Sequence, residues 1–287
     1  MCNREPSGNT TSLGVLYIVS TPIGNLEDIS LRAISLLEKV SLVAAEDTRR
    51  TRKLLSHLGI HTPMTSYFEH NKITKLDAIM AALELGDVAL VSDGGTPSIS
   101  DPGYRLVRAA VNRGHRVIAV PGSSALLAGL VVSGLATDAF VFLGFLPRKS
   151  ASRRRLLSEN ATDHRTLVAF ETPHRLISAL VDIEAEMGDR FVSVARELTK
   201  VHEEIFRGTA CAAREHFSLR PVRGEITLVI GGAPKHFEKH WSDSEVRDAL
   251  RDELESGAKT SRAASTVAAR SGWSRREVYR IAVENDI

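Results

Sequence analysis

Three segments of the sequence combine glycine, proline and small hydroxyl residues, a composition that suits close contact between the backbone and a ligand. The segments are STPIGNL from Ser20, SDGGTPSISDPG from Ser92 and PGSSA from Pro121. In such segments backbone N–H and C=O groups can approach a bound molecule without intervening side chains. One segment of this kind is most simply a tight turn, whereas three in one half of the chain favour a binding site.

The spacing of the glycines limits the class of ligand. The segments contain neither the dinucleotide-binding pattern G-x-G-x-x-G nor the triphosphate-binding pattern G-x-x-x-x-G-K-[ST]. A dinucleotide or a nucleoside triphosphate is therefore not expected. The pattern leaves a ligand without phosphates that is bound largely by backbone groups.

Charged residues next to these segments are candidates for proton transfer and substrate positioning. Glu46, Asp47, Arg49 and Arg50 follow a predicted strand, and Asp101 lies within the second segment. Acids also stabilise helix starts, so the first run has a structural interpretation as well, and Asp101 could cap a following helix. Further candidates lie in the second half of the chain: His174, Arg175, Arg196, Glu197 and Lys200.

Basic residues are distributed unevenly, although the net charge of +2 does not by itself predict a nucleic-acid partner. One cluster comprises Arg148, Lys149, Arg153, Arg154 and Arg155. Residues 257–281 carry six Lys or Arg against one acid. Each cluster alone could be a solvated helix face, whereas the two together favour a polyanionic substrate. Arginine suits phosphate because its planar guanidinium matches the phosphate oxygens.

The elements that must position these residues follow from the alternation of apolar runs and amphipathic segments. Between Val15 and Val132 this alternation predicts a mostly parallel sheet covered by helices. The predicted strands are residues 15–20, 41–45, 64–67, 87–92 and 116–120; the predicted helices are 30–39, 49–58, 73–85 and 103–113, with another from Ala125. Because open α/β sheets bind ligands beyond the carboxyl ends of their strands, the three segments are expected at one edge.

A second set of elements begins at Phe140. Strands are predicted at 140–146, 166–170, 190–195, 203–208 and 225–230, with helices from Ser150 and Pro173. The segments 190–196 and 203–207 are close enough to form a hairpin, so this sheet is expected to be mixed. The short linker Ser133–Asp138 favours two lobes held against each other.

The strands end after Gly231, and helices are predicted at 243–256, at 260–270 and from Ser274. Ser274 and Glu277 form a capping-box pattern after the break at Gly272. Helix, turn and helix here resemble a helix-turn-helix, although any small three-helix bundle would have the same pattern. The predicted organisation is a disordered tail at 1–12, lobes at 13–135 and 136–235, and a helical extension at 241–287.

Composition excludes several other classes of protein. The chain of 287 residues is 43% hydrophobic and 25% charged, and no window approaches the roughly 20 apolar residues that span a bilayer. Residues 1–12 lack the features of a secretory signal. Cys2 and Cys211 are the only cysteines, so we expect neither a disulfide framework nor a thiolate metal site. We therefore expect a cytoplasmic protein with no membrane segment and no metal requirement.

With these motifs together, the sequence resembles the class III methyltransferases, the family that includes the tetrapyrrole methylases and diphthine synthase. The similar stretches run in order from about residue 15 to residue 231: VSTPIGNLEDISLRA, AEDTRRTRKLL, VSDGGTPSISDPG, VPGSSALLAGLVVSGL, GFLPRK, FETPHRL, ARELTKVHEE and GEITLVI. The pieces EDTRRT and FETPHR are typical of the branch that acts on small-subunit ribosomal RNA. The C-terminal helices are also similar to an extension found in that branch.

The resemblance implies that S-adenosylmethionine binds in a folded shape in a cleft between two α/β lobes. The residues implied to bind it are Pro22, Gly24, Gly94, Gly95, Thr96, Ile99, Ser124, Ala125, Phe170, Glu171, Glu225, Ile226 and Thr227. Tetrapyrrole methylases read Gly-Pro-Gly-Asp where this chain reads Pro-Ile-Gly-Asn from Pro22, and Gly-Gly-Asp where it has Gly-Gly-Thr from Gly94. These departures argue against a tetrapyrrole substrate.

The reaction that the resemblance implies is methylation of the ribose 2′-hydroxyl of a cytidine in 16S ribosomal RNA, free or within the 30S subunit, by a homodimer. The catalytic candidates are Glu46, Asp47, Arg49, Asp101 and Lys200. The RNA-binding candidates are Arg148, Lys149, Arg153, Arg154, Arg175, Arg275 and Arg276. Two alternatives stay open: methylation of a tetrapyrrole or protein side chain by the same fold, and a non-catalytic nucleic-acid-binding regulator.

Overall fold

The computed structural model describes residues 13–68, 75–234 and 241–284, and the chain divides into two compact units between Ala233 and Pro234. The predicted tail at residues 1–12 lies outside the described residues. The first unit contains two five-stranded sheets, and the described part of the second is helical. The predicted α/β fold with a parallel sheet, a mixed sheet and C-terminal helices is confirmed.

The first sheet is built from short apolar strands, all of which were predicted. They are β1 (Leu16–Val19), β2 (Leu42–Ala45), β3 (Met64–Ser66), β4 (Val88–Val91) and β5 (Val117–Val120). All pairings are parallel, in the order β3-β2-β4-β1-β5. The helices are α1 (Leu31–Lys39), α2 (Thr48–His57), α3 (Leu76–Leu85), α4 (Tyr104–Asn112) and α5 (Ala125–Val131). The part of the third predicted helix at residues 73 and 74 lies outside the described residues.

Strand β4 shows why the strands in this half of the chain are continuous runs of apolar residues. Val88 and Leu90 pack against the helices α3 and α4, whereas Ala89 and Val91 pack against α1 and α2. Helices therefore cover both faces of the sheet, and a central strand has no face that favours polar residues. The carboxyl ends of the strands are consequently the places where polar residues can gather.

The second sheet is mixed, as predicted. Its strands are β6 (Phe140–Phe145), β7 (Thr166–Glu171), β8 (Phe191–Arg196), β9 (Glu204–Thr209) and β10 (Ile226–Ile230), in the order β6-β7-β10-β8-β9. Only β6 and β7 pair in parallel, and β8 and β9 form the predicted hairpin. The helices are α6 (Ser150–Glu159), α7 (Leu176–Met187) and α8 (Ala210–Ser218).

Helix α8 was not predicted from the sequence. It is short and rich in alanine, so its hydrophobic periodicity is weak. The signal that could have located its start is Thr209, whose hydroxyl accepts a hydrogen bond from the backbone N–H of Ala212. Threonine in this position is a common N-cap.

Helix α5 joins the two sheets. Leu126 and Leu130 on this helix pack against Val168 and Val229 of the second sheet. A β-carbon on Gly129 would lie 2.5 Å from the Thr227 side chain, so the close approach of α5 to β10 requires glycine. This packing places the carboxyl edge of the first sheet opposite the second sheet.

The second unit has its own apolar core. Its helices are α9 (Asp243–Glu255), α10 (Thr260–Ser271) and α11 (Arg275–Glu284), and buried residues from all three pack together. Gly272 adopts a left-handed conformation with φ of 72°, which ends α10. The Glu277 carboxylate accepts from the Ser274 N–H at 3.0 Å and the Ser274 hydroxyl accepts from the Glu277 N–H at 3.2 Å, which confirms the predicted capping box. Among the described residues, no helix is long and apolar enough to cross a membrane.

Candidate functional site

A cavity of about 670 Å³ lies between the carboxyl edge of the first sheet and the second sheet. All the residues that the resemblance implied for the methyl donor line it: Pro22, Gly24, Gly94, Gly95, Thr96, Ile99, Ser124, Ala125, Phe170, Glu171, Glu225, Ile226 and Thr227. The volume is in the range of pockets that enclose a small organic ligand, on the order of 300–1,000 Å³. The residues implied for the donor therefore come from three loops of the first lobe and from two strands of the second, β7 and β10.

Hydrogen bonds tie the three first-lobe loops to one another. Thr21 and Gly95 exchange two backbone hydrogen bonds, with N···O distances of 3.0 and 2.8 Å. The Ser20 and Thr96 hydroxyl oxygens are 2.9 Å apart, and the Thr96 hydroxyl also donates to the Ser123 carbonyl at 3.3 Å. Gly95 has φ of 88°, a left-handed conformation that suits glycine. The loops therefore form one connected floor for the cavity.

Strained backbone borders the cavity on both sides. Among the described residues, the non-glycine positions with positive φ are Ser98, Ser100, Glu197 and Thr199. The first two lie in the glycine-rich loop after β4, and the other two lie in the loop that carries Lys200, which also lines the cavity. Such conformations cost about 1–3 kcal/mol each and concentrate at ligand sites. The surrounding structure therefore holds both loops in backbone conformations that residues other than glycine rarely adopt.

The first-lobe wall carries carboxylates at the ends of β2 and β4. The Glu46 carboxylate accepts from the Asp93 N–H at 3.2 Å, and Arg50 Nη1 lies 3.4 Å from Asp93 Oδ2. Burial is the main reason that the pKa of Glu46 is raised, and the backbone hydrogen bond from Asp93 opposes it. Burial, and then the negative charge of Glu46, raise the pKa of Asp101 to about 7. Both acids are therefore easier to protonate than ordinary carboxylates.

Two catalytic candidates from the same sequence run do not line the cavity. The Asp47 carboxylate accepts from the Arg49 N–H at 2.8 Å and from its guanidinium at 2.7 Å, which lowers the pKa of Asp47. Asp47 is the N-cap of α2, which supports the structural interpretation of this pair. The adjacent Arg50 lines the cavity instead. Asp101 does not cap α4, whose N-cap is Gly103.

The second-lobe wall is built around a buried ion pair. The Glu171 side chain is fully buried, and its Oε1 accepts from Arg175 Nη2 at 2.6 Å and from the Thr172 N–H at 2.7 Å. Arg175 also donates to the Leu146 carbonyl at 3.1 Å. With 13% of its side chain exposed, Arg175 supports Glu171 and is not available to RNA, which corrects the sequence-based assignment. Glu171 Oε2 has no partner among the described residues.

Lys200 extends this wall towards the first lobe. Its Nζ lies 2.8 Å from Glu197 Oε1 and 3.1 Å from Glu225 Oε2. Burial opposes the charge, but the hydrogen bonds with these two carboxylates outweigh it and raise the pKa of Lys200. Lys200 therefore faces the cavity as a cation and not as a proton acceptor. The loop that carries it touches the first lobe, because the Asn25 N–H donates to the Thr199 hydroxyl at 3.1 Å.

The mid-chain basic cluster separates into surface and interior residues. Arg148 and Lys149 are exposed in the loop before α6. Arg153 is buried, with 3% of its side chain exposed, and its Nε donates to Asp182 at 2.7 Å. Arg153 was therefore wrongly grouped with the RNA-binding candidates: it fixes α6 to α7. Arg154 is half exposed and pairs with Glu186.

The basic candidates of the second unit lie on the surface. Arg275 and Arg276 are exposed on the first turn of α11. Arg275 Nη2 donates to the Ser261 hydroxyl at 3.0 Å, which links α11 to α10. Tyr279 and Arg280 continue the same exposed surface.

Sequence reasoning did not assign several residues that line the cavity. Ile23 and Phe145 contribute apolar surface, and Gly224 packs against the Glu197 side chain. Ile23 lies within the first glycine- and proline-containing segment, and Phe145 lies near the end of the strand predicted at 140–146, so the sequence could have indicated both positions. Gly224 gave no signal of its own, because its contact with Glu197 joins residues 27 positions apart (224 − 197).

The chain is similar to known methylases over most of its length. Residues 15–213 match the family model described as Tetrapyrrole (Corrin/Porphyrin) Methylases. "Ribosomal RNA small subunit methyltransferase I" of Synechocystis sp. is 45% identical over 274 residues, covering 95% of this chain and 98% of that protein. The protein of the same name from Thermotoga maritima is 48% identical over 221 residues, covering 77% of this chain and 99% of that protein. The rest of this chain thus has no counterpart in the shorter relative.

Solved structures share the fold. A uroporphyrin III C-methyl transferase from Thermus thermophilus superposes with a TM-score of 0.55 at 19% identity, covering 78% of this chain and 100% of that one. A diphthine synthase superposes with a TM-score of 0.58 at 15% identity, covering 78% and 92%. The family match and the curated relatives show that the chain is a methyltransferase. The chain belongs to the tetrapyrrole methylase family and, within it, to the group named ribosomal RNA small subunit methyltransferase I.

The residues of the cavity fit S-adenosylmethionine. A β-carbon on Gly94 would lie 3.1 Å from the Pro22 carbonyl, so glycine keeps the backbone accessible there. The buried and unpartnered Glu171 Oε2 can accept a hydrogen bond from a donor group of the ligand. Carboxylates on the first-lobe wall suit a positively charged sulfur. No group of three or more His, Cys, Asp or Glu that could hold a metal ion occurs among the described residues.

Proposed function

We propose that this chain transfers the methyl group of S-adenosylmethionine to the ribose 2′-hydroxyl of a cytidine in 16S ribosomal RNA. The observation that carries the proposal is that all the residues implied for the donor line a single cavity. The RNA substrate follows from the printed name of the relatives and from exposed basic residues near and beyond the lobes. The cytidine and the 2′-oxygen rest on the family resemblance.

The chain's own residues have to align the reactants and exclude water. S-adenosylmethionine supplies a methyl group that is already activated by the positive charge on its sulfur. The backbone of Gly94 to Ile99 would hold the donor from the first lobe, while Phe170, Ile226 and Thr227 would hold it from the second. Fixing donor and acceptor in line supplies most of the acceleration for such a displacement. A base for the hydroxyl proton adds about 10²- to 10⁴-fold.

Several surface arginines and one lysine are proposed to contact the RNA. Arg148, Lys149, Arg154, Arg275 and Arg276 are exposed or half exposed, and Arg50 lies at the cavity itself. Phosphate contacts from such residues position the RNA without reading its sequence. The C-terminal helices would then serve docking, while the two lobes carry out the chemistry.

We also propose that the enzyme is a cytoplasmic homodimer that acts on the 30S subunit or on its RNA. The dimer is a property of the resembled family. Light scattering at assay concentration should give twice the monomer mass of 31.3 kDa. A mass of 31.3 kDa at that concentration would refute the dimer without affecting the proposed reaction.

The proposed reaction is tested by methyl transfer from labelled S-adenosylmethionine. The acceptors are naked 16S RNA, intact 30S subunits lacking the modification, and a tetrapyrrole precursor as the negative control. Nuclease digestion of the product should release 2′-O-methylcytidine as the labelled nucleoside. Label in a base, in ribosomal protein or in the tetrapyrrole would overturn the proposed substrate, and label in none of the acceptors would overturn the activity.

A further inference from the structure

We propose that Asp101 is the catalytic base that accepts the ribose hydroxyl proton, with Glu46 as the neighbouring charge that adjusts it. This inference rests on the proposed function, because it names the residue that performs the proton transfer in that reaction. Asp101 lies in the glycine-rich loop after β4 and lines the cavity together with Glu46. Its neighbour Ser100 has φ of 63°, so a strained backbone position lies directly before Asp101 in this loop.

Ion pairing distinguishes the acids of the cavity from one another. On the second-lobe wall, Glu171 pairs with Arg175, and Glu225 pairs with Lys200. On the first-lobe wall, Asp93 pairs with Arg50. Asp101 and Glu46 are the two acids lining the cavity that have no ion pair with any described residue. Proton acceptance is thus open to these two carboxylates.

The balance of burial, neighbouring charge and hydrogen bonding then separates Asp101 from Glu46. The Glu46 carboxylate accepts the Asp93 N–H at 3.2 Å, which stabilises its charged form. Asp101 is affected mainly by burial, then by the negative charge of Glu46, with a smaller contribution from Asp93, and the Ser92 hydroxyl opposes these effects. The pKa of Asp101 is consequently raised to about 7. A base is most effective when its pKa lies near the working pH, so Asp101 is the better proton acceptor.

The proposed step balances in atoms and charge. The Asp101 carboxylate takes the proton of the 2′-hydroxyl as the O–H bond breaks. The electron pair of that bond forms the new bond between oxygen and the methyl carbon. The carbon–sulfur bond breaks and its electron pair stays on sulfur, so a sulfonium and a carboxylate become a neutral thioether and a neutral acid. Asp101 then returns its proton to solvent.

The test is the pH dependence of kcat/KM for RNA in three proteins, measured from about pH 5 to about pH 9. Wild type should rise about tenfold per pH unit up to about pH 7 and then level off, because Asp101 must be ionised. Asp101→Asn should lose about 10²- to 10⁴-fold and lose this acidic limb. Glu46→Gln should keep the limb and move it to lower pH, because removal of the neighbouring negative charge lowers the pKa of Asp101.

The opposite pattern would overturn the assignment. If Glu46→Gln abolished the limb while Asp101→Asn only displaced it, Glu46 would be the base. If Asp101→Asn kept both the rate and the limb, Asp101 would have no role in proton transfer. Product analysis on the wild type separates these outcomes from failure of the proposed function: without methyl transfer to RNA by wild type, the function itself is wrong.

A second measurement, independent of activity, tests both the fold of the variant and the environment of Asp101. Because the pKa of Asp101 is raised from 3.8 to about 7, the folded chain binds more protons than the unfolded chain between these values. Wild-type stability attributable to this group is therefore full below about pH 4 and falls as pH rises towards about 7. The Tm of Asp101→Asn should exceed that of wild type by a margin that grows across this window and stays constant above it. A margin independent of pH would contradict the raised pKa.

Discussion

The two walls of the cavity differ in how the charges of their acidic residues are compensated. On the second-lobe wall, Glu171 is matched by Arg175, and Glu197 and Glu225 are matched by Lys200. The lysine and a backbone N–H lower the pKa of Glu197 even though burial opposes this. On the first-lobe wall, burial and neighbouring negative charge raise the pKa values of Glu46 and Asp101.

This difference separates supporting residues from reactive ones. A carboxylate paired with a cation keeps its charge and fixes the position of its neighbours, but it has little tendency to accept a proton. A partly buried carboxylate beside another negative charge destabilises the fold, and it gains a pKa close to neutrality. The second-lobe wall therefore shapes the cavity, and the first-lobe wall is suited to proton transfer.

The comparison of the two walls assumes that both face the same ligand, S-adenosylmethionine. The prediction with the largest expected effect tests this assumption. Gly95→Val should abolish binding of S-adenosylmethionine, because a β-branched residue at φ of 88° disrupts the paired loops that form the cavity floor. Calorimetric titration with the donor measures it. Gly59→Val is the matched control: Gly59 has φ of 71°, and a β-carbon there would meet nothing within 4 Å. Equal donor affinity in Gly95→Val and wild type would remove the cofactor assignment.

The supporting role of the second-lobe wall is tested by removing its cations. Arg175→Met leaves the Glu171 carboxylate buried without a cation and should destabilise the fold by about 3–5 kcal/mol. The double variant Glu171→Gln with Arg175→Met should recover much of this loss, because no unpaired charge then remains buried. Urea unfolding measures both free energies.

Lys200→Met provides the comparison on the same wall. Lys200 is 28% exposed, and of its two partners Glu225 is 75% exposed and Glu197 is 19% exposed, so solvent screens these pairs more than the buried pair and the loss should be about 1 kcal/mol. If Lys200→Met lowered the free energy of unfolding more than Arg175→Met, the buried Glu171–Arg175 pair would not be the main structural support of this wall.

Arg50 is relevant both to RNA binding and to the charge of the first-lobe wall, because it lines the cavity and its guanidinium pairs with Asp93. Arg50→Ala should raise KM for RNA about tenfold, since the variant lacks one phosphate-binding group worth about 1.4 kcal/mol. It should also move the acidic limb of kcat/KM to higher pH, opposite to Glu46→Gln, since Asp93 then faces Asp101 without its cation.

Arg49→Ala is the neighbouring control. It removes the same charge one residue away, where the side chain pairs with Asp47 and is 84% exposed. KM and the pH profile should therefore stay near wild type. Equal effects of Arg49→Ala and Arg50→Ala would indicate a general contribution of positive charge and would remove the specific role of Arg50.

Local patterns in the sequence were sufficient to predict the fold and the first-lobe loops. Apolar runs located the strands, and parallel pairing brings their carboxyl ends to one edge, so the pattern predicted that the loops containing Gly94 and Ser124 lie together at that edge. Helix α8 was missed because its periodicity is weak. The hairpin β8–β9 was found because its strands are close in sequence.

The roles of charged residues could not be predicted in the same way, because pairing depends on residues far apart in the chain. Arg153 and Arg154 are adjacent, yet Asp182 draws the first into the interior while the second stays at the surface. Arg49 and Arg50 are likewise adjacent, yet Arg49 pairs with Asp47 and does not line the cavity, whereas Arg50 does. The raised pKa of Asp101 depends on burial between the lobes and on Glu46, 55 positions away (101 − 46).

The smallest expected effects concern the helical unit, whose described residues do not line the cavity. Arg276 and Arg280 are exposed on α11 beside Tyr279, and no ion pair with a described residue competes for their guanidinium groups. Removing one phosphate-binding cation should reduce the slope of log Kd against log salt by about one. The double variant Arg276→Gln with Arg280→Gln should therefore bind RNA more weakly, with a salt slope reduced by up to about two.

Affinity for S-adenosylmethionine should stay unchanged in this variant, because Arg276 and Arg280 are not among the residues that line the cavity. The control is Arg251→Gln on the acidic helix α9, where Arg251 pairs with Asp248 at 3.3 Å and removal should leave the salt slope as it is. Truncation before Trp241 should enlarge the effect on KM for RNA in the same direction. Loss of donor affinity with the fold intact, or an unchanged salt response after truncation, would show that these helices do not dock RNA and that the division between chemistry in the lobes and docking outside them is wrong.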